Sequence, residues 1–119
     1  MAFKFEKLAV WERAFGISGR VHEVVKMFPD HERYVLTSQM QRAADSITLN
    51  IAEGSTGQTN AEFKQFIGYA IRSALELGAC LYLARQRLLI KQDAFRLLYD
   101  EVEQLVRMLQ ALRRSISSR

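Results

Sequence analysis

Apolar residues recur along this chain at spacings of four and three, the period of one face of an α-helix, in four separate stretches. The first runs from about Glu6 to Met27 with Val10, Ala14, Ile17, Val21, Val24 and Phe28 in register. Pro29 ends it, because the residue before a proline is pushed out of helical geometry, and Pro29-Asp30-His31 forms the joint. The second runs from about Glu32 to Glu53 with the stripe Leu36, Met40, Ala43, Ile47 and Ile51, and Gly54 is expected to close it as a residue that tolerates positive φ. Gly54 to Asn60 is rich in turn formers and predicts a loop, after which Thr59 and Glu62 have the spacing of a capping box. The third stretch, about Asn60 to Leu89, carries Phe63, Ile67, Ala70, Ala74, Leu77, Leu81, Ala84 and Leu88 without a break in period. The fourth, about Gln92 to Ser115, carries Phe95, Leu98, Val102, Leu105, Leu109, Leu112 and, just beyond it, Ile116.

Four rods joined by short connections pack as antiparallel neighbours, so the pattern predicts an all-α, up-down-up-down four-helix bundle over residues 1–119 as a single domain. The third rod also carries Phe66, Tyr69, Ile71, Leu75, Tyr82 and Leu83 off its main stripe. A helix apolar on more than one face wants a second partner, and Trp11, Phe15, Leu97 and Val106 add to that surface. Self-association is the expected outcome.

Composition agrees with a globular helical domain: 49% hydrophobic, 25% charged, one proline and six glycines. Seventeen Lys and Arg against thirteen Asp and Glu give a net charge of +4, a mild excess that leaves an anionic partner open. The excess is concentrated, because Leu105 to Arg119 holds Arg107, Arg113, Arg114 and Arg119 and no acid. Cys80 is the single cysteine, so no intramolecular disulfide forms, and its neighbours Leu77, Leu81 and Ala84 predict a buried side chain. The charged N-terminus lacks the pattern of a signal peptide and no apolar run reaches the length of a membrane span, so the expectation is a cytoplasmic protein without a membrane partner.

Chemistry has few candidates. His22 and His31 stand without a Glu-x-x-His partner, which predicts no metal site, and no cofactor motif, activated nucleophile or phosphate-binding glycine loop is present. No catalytic residue is assigned and no enzyme is expected. The second rod, however, aligns Gln39, Arg42, Ser46, Asn50 and Glu53 on one face beside its apolar stripe, and the third rod offers Ser73 and Glu76 opposite. Such groups either hold helix register as an interhelical hydrogen-bond network, with Arg42 and Glu76 as a charge pair, or line a ligand cleft. The absence of a histidine or paired carboxylates favours the network.

The run from Gln39 to Gly54, with its Arg-Ala-x-x-Ser-Ile-x-x-Asn-Ile-Ala-Glu-Gly core, resembles the signature of the bacterial four-helix-bundle proteins encoded by intervening sequences in 23S ribosomal RNA genes. The likeness extends to Phe5, Leu8, Val10, Trp11 and Ala14, to Phe28-Pro29 with Glu32, to Glu62-Phe63, and to Ser73 with Glu76-Leu77. Asp45 and Gly78 depart from the family pattern, where small or apolar and acid or Thr side chains are common. The resemblance implies a four-helix bundle, a homopentamer and no established catalytic activity. It extends to the basic, nucleic-acid-engaging accessory proteins of diversity-generating retroelements. On this chain Arg85, Arg87, Lys91, Arg96, Arg107, Arg113, Arg114 and Arg119 are the candidates for a phosphate-facing surface. Base-stacking aromatics are not evident in the sequence, so RNA or DNA is expected to be recognised by backbone or shape. A protein-interaction scaffold that binds no nucleic acid is the alternative.

Overall fold

The four stripes become four α-helices, α1 (Ala9–Val25), α2 (Ser38–Ser55), α3 (Asn60–Gln86) and α4 (Gln92–Ser115). The computed structural model describes residues 2–57 and 59–117, and no strand occurs among them. Side-chain contacts fix the direction of each neighbouring pair. Ser18 meets Asp45 while His22 meets Gln41, and Gln39 meets Glu76 while Ser46 meets Ser73. Arg13 meets Gln104 while Arg20 meets Glu101, and Tyr82 meets Phe95 and Tyr99 while the backbone at Gly68 lies beside Arg113. In every pair the number on one helix falls as the number on the other rises, so adjacent helices are antiparallel. The bundle measures 47 × 23 × 22 Å, close to the roughly 40 Å that the 27 residues of α3 span at a helical rise.

The core is built mainly from the predicted stripes, with Val25 buried in place of the expected Val24 and Ala44 and Cys80 added to it. Ala14, Ile17, Met40, Ile47, Ile67, Leu77, Leu81, Leu105 and Leu109 are fully buried, and a buried Leu or Ile stabilises the fold by about 1.5–3 kcal/mol. Ile71 was expected on the outer face, but it is buried, because it borders the stripe closely enough to join the core. α3 is long and apolar enough by length and composition to cross a membrane. No uninterrupted apolar run in it reaches span length, but scattered polar residues leave its average hydropathy high. Its stripe packs in the bundle core, which accounts for part of that composition, 39% of the apolar window being buried.

Helix ends differ from the periodic pattern where local hydrogen bonding wins. The chain opens with a 3₁₀ turn, Lys4–Lys7, held by the Phe3 N–H donating to the Glu6 carboxylate at 2.9 Å, and Leu8 is extended before α1 begins. That turn lays Phe5 against Trp11 at 4.7 Å, and Phe3 and Phe15 extend the row at 5.6 and 5.1 Å. After the extended Pro29, a 3₁₀ turn (Asp30–Glu32) and a π-helical turn (Arg33–Thr37) lead into α2. Glu32 is buried there and accepts from Arg87 at 3.2 Å, tying the joint to the far end of α3.

Two ends overturn the sequence expectation. Gly54 does not close α2, which continues through Ser55, and no glycine has positive φ among the described residues. Its role is close approach: a Cβ at Gly54 would lie 2.6 Å from the Phe66 Cβ on α3. α3 ends earlier than the stripe suggests, at Gln86, with Leu88 in the left-handed region at φ 59°. The Leu88 N–H donates to the Arg85 carbonyl at 3.0 Å and the Leu89 N–H to the Ala84 carbonyl at 2.9 Å, which is a Schellman closure built on leucine. Leu88, counted in the apolar stripe, is therefore 89% exposed. At the start of α3 the Thr59 hydroxyl accepts the Glu62 N–H at 3.1 Å, while the Glu62 carboxylate lies 3.4 Å from the same hydroxyl rather than on the Thr59 amide.

Candidate functional site

The α2–α3 seam brings together part of the polar stripe. Gln39 donates to Glu76 at 3.3 Å, and the hydroxyls of Ser46 and Ser73 share a hydrogen bond of 2.8 Å across the helices. Asn50 turns back along α2, donating to the Ser46 carbonyl at 2.8 Å and to its hydroxyl at 3.0 Å. Arg42 and Glu53 stay outside this set. Both are exposed, and the expected Arg42–Glu76 pair does not form: Gln39 donates to that carboxylate, while Arg42 lines a groove with Asp45, Leu49 and Glu53. Open grooves of about 400 and 490 Å³ flank Ser46 and Asn50, one lined also by Tyr69, Arg72, Ser73 and Glu76, the other by Arg42, Asp45, Leu49 and Glu53.

The seam offers hydroxyls and amides that bond one another, with no imidazole in hydrogen-bond contact with either serine among the described residues. Cys80, behind the seam, is buried. Burial, and secondarily the charge of Glu76, push its thiol above the ordinary value, so the neutral form prevails near pH 7. Among the described residues no group of three or more His, Cys, Asp and Glu side chains converges as a metal site would require. His31 is exposed in the joint. His22 is exposed too, its Nδ1 3.3 Å from the Gln41 carbonyl oxygen. A second polar chain, missed in the sequence, continues from Gln41: Gln41 and Ser18 both donate to the Asp45 carboxylate, at 2.9 and 2.5 Å. Asp45, one of the two departures from the family pattern, thus ties α1 to α2.

The basic candidates fall into two patches at opposite ends of the rod. Arg85, Arg87, Lys91 and Arg96 gather where α3 turns into α4, and Arg107, Arg113 and Arg114 lie along the last turns of α4. Arg119 lies outside the described residues. Several charges are already answered: Arg87 by Glu32 at 3.2 Å, Arg96 by Asp100 at 3.5 Å and Arg107 by Glu103 at 3.5 Å. Among the described residues Arg85, Lys91, Arg113 and Arg114 have no carboxylate partner.

At the α3–α4 end the structure also assembles aromatic rings that the sequence did not reveal. Tyr82 packs edge-on against Phe95 at 5.3 Å and Tyr99 at 5.7 Å, and the Arg85 guanidinium lies 4.1 Å from the Phe95 centroid and 5.0 Å from that of Tyr82. Hydrogen bonding with Tyr82 is the main cause that raises the Tyr99 phenol above its ordinary pKa, so it stays neutral beside the arginines. The signal was present only as the antiparallel register of α3 and α4, which brings residues thirteen and seventeen apart in sequence side by side.

The sequence signature described as the 23S rRNA-intervening sequence protein matches residues 6–111. A crystal structure of a protein of unknown function from the S23 ribosomal protein family of Bacteroides thetaiotaomicron is similar, with a TM-score of 0.84 at 19% identity. That match covers 90% of this chain and 100% of the other. No curated protein matches this chain.

Proposed function

From a chain that belongs to the 23S rRNA-intervening sequence protein family, we infer a cytoplasmic, non-enzymatic protein that self-associates as a homopentamer and binds RNA or DNA through basic surface. The observation that carries this reading is the pair Arg113 and Arg114, both exposed in the last turn of α4 and unanswered by any carboxylate among the described residues. Five copies of a chain of charge +4 carry about +20, and repetition of a weak patch raises avidity without new contacts. Self-association is supported by apolar side chains left outside the core, with Leu75 60%, Phe15 60% and Leu97 58% exposed. The Ser46 and Ser73 hydroxyls bond each other and Asn50 donates to Ser46, which supports a structural role for the seam.

The test is electrophoretic mobility shift with RNA and DNA at two salt concentrations, beside light scattering for mass. Wild-type binding should weaken steeply with salt, and Arg113→Glu with Arg114→Glu should weaken it further and flatten the slope. Binding indifferent to both salt and charge reversal rejects the nucleic-acid reading, and a monomer rejects assembly. The same exposed leucines favour one other reading, a scaffold that presents α3 or α4 to a protein. That partner would be retained in a high-salt pull-down that sheds nucleic acid.

A further inference from the structure

The arginine that closes α3 is in an unusual state. Arg85 is half-buried, its guanidinium held by the rings of Phe95 and Tyr82, yet no carboxylate, carbonyl or hydroxyl among the described residues accepts from it. A guanidinium has five N–H donors in one plane, and stacking uses its face while leaving those edges free. Its neighbours differ: Arg87 is committed to Glu32, and Arg96 to Asp100. Beside Arg85 the Tyr82 side chain is exposed, 49% accessible, its ring edge-on to Phe95 and Tyr99 and with the Arg85 guanidinium over it at 5.0 Å. Tyr82, Leu83, Arg85 and Gln86 line an open recess of about 360 Å³. Lys91 adds an exposed charge at the start of α4. The acids nearby are occupied or remote from the recess lining: Asp93 accepts the Ala94 N–H, Asp100 pairs with Arg96, and Glu103 pairs with Arg107.

This pairing calls for a ligand that brings both a flat ring and an oxyanion. An acidic peptide would satisfy Arg85 but leave the exposed part of the Tyr82 ring uncovered. An apolar protein surface would cover Tyr82 and Leu83 but strand the guanidinium donors without acceptors. An unpaired nucleotide supplies both, since splayed bases stack on aromatic side chains while phosphates take planar, bidentate contacts from arginine. Bases within a duplex are stacked on one another and do not present their faces. We propose that the Tyr82–Arg85 recess at the α3–α4 junction binds an unpaired nucleotide of a single-stranded nucleic acid, the base on the Tyr82 ring and a phosphate on the Arg85 guanidinium. The inference rests on the nucleic-acid reading above and adds strand selectivity to it. It adds a base stack to the expected recognition of backbone or shape.

Fluorescence anisotropy of a labelled oligouridine and of a labelled duplex RNA, each titrated with the wild-type protein, provides the test. Tyr82→Leu keeps an apolar side chain for packing and removes the flat ring, Tyr82→Phe keeps the ring, and Arg85→Lys keeps the charge but not the fork. Thermal melts confirm that each variant is folded. Tyr82→Leu should weaken single-strand binding roughly tenfold, within the range for loss of one base stack, and leave duplex binding unchanged. Tyr82→Phe should bind as wild type, and Arg85→Lys should weaken the single strand. Wild-type affinity for the oligouridine in Tyr82→Leu overturns the proposal, as does an equal loss for strand and duplex. Poly-glutamate competing with the same sensitivity to Tyr82→Leu overturns it in favour of an acidic-peptide site. A changed assembly mass in Tyr82→Leu overturns it in favour of a subunit contact. Duplex binding without single-strand binding refutes this proposal alone, whereas no binding to either refutes the nucleic-acid reading with it.

Discussion

Replacing Gly54 with alanine tests the close approach of α2 to α3. A helix-interior Gly→Ala exchange gains about 0.8–1 kcal/mol from propensity when the new methyl meets nothing. At Gly54 it meets the Phe66 Cβ at 2.6 Å and a Phe63 ring carbon at 3.2 Å. The nearer atom is fixed to the α3 backbone and has no rotamer to yield, so α2 and α3 must separate. Overpacking of that kind costs about 1–3 kcal/mol, and the upper half of the range applies here. The net result for Gly54→Ala is a loss of about 1–2 kcal/mol. Gly78→Ala serves as the reference, because a Cβ there has nothing within 4 Å and α3 should gain about 1 kcal/mol. Urea unfolding followed by circular dichroism, at matched protein concentration because association adds to stability, should separate the two midpoints with similar m values. Gly54→Asn distinguishes packing from a left-handed cap: asparagine is tolerated in a cap and is worse than alanine against Phe66. If Gly54→Ala equals or exceeds Gly78→Ala in stability, or if Gly54→Asn is neutral, the close approach of α2 and α3 is refuted.

Three further outcomes follow from single residues. Leu88→Gly should raise stability by about 1 kcal/mol, since a left-handed leucine costs roughly 1–2 kcal/mol and so exposed a side chain has little burial to lose; a lower melting temperature would count against the closure described for α3. Thr48→Val should gain about 1 kcal/mol in urea unfolding, because the Thr48 hydroxyl is the buried side-chain oxygen without a hydrogen-bond partner among the described residues. A loss would show that the hydroxyl is bonded. For Cys80 the folded thiol holds its proton above the ordinary value of 9.0, whereas the unfolded thiol releases it there. The contribution is complete below that pH and declines as pH rises through the folded value. Urea midpoints measured on both sides of pH 9 should therefore fall more steeply with pH in wild type than in Cys80→Ala.

Periodicity made the fold legible because each helix buries one continuous stripe, and the residues at Val10, Ala14, Ile17 and Val21 or at Leu98, Val102, Leu105 and Leu109 sit where the spacing puts them. Ends were less legible, since they depend on contacts between distant residues. Gly54 carries the composition of a helix stop, yet its hydrogen atom serves a neighbour twelve residues on. Leu88 continues the apolar count beyond the point where the backbone has turned. The polar seam was half visible. Ser46 and Ser73 meet as the stripe suggests, but whether Arg42 or Gln39 reaches Glu76 depends on side-chain direction, which helical spacing alone does not encode. The Tyr82, Phe95 and Tyr99 cluster was hidden because it exists only once α3 and α4 lie in register.

The row of rings at the N-terminal turn has a practical consequence. Trp11 is the one tryptophan in the chain, and its indole lies between Phe5 on the 3₁₀ turn and Phe15 on α1. Ultraviolet emission excited at the indole thus comes from a single known location. It reports whether the first residues are docked on α1, whereas far-ultraviolet ellipticity reports the helices as a whole. Melting curves that coincide in the two signals mean that the leading turn leaves with the rest of the fold, and an earlier emission change means that it peels away first.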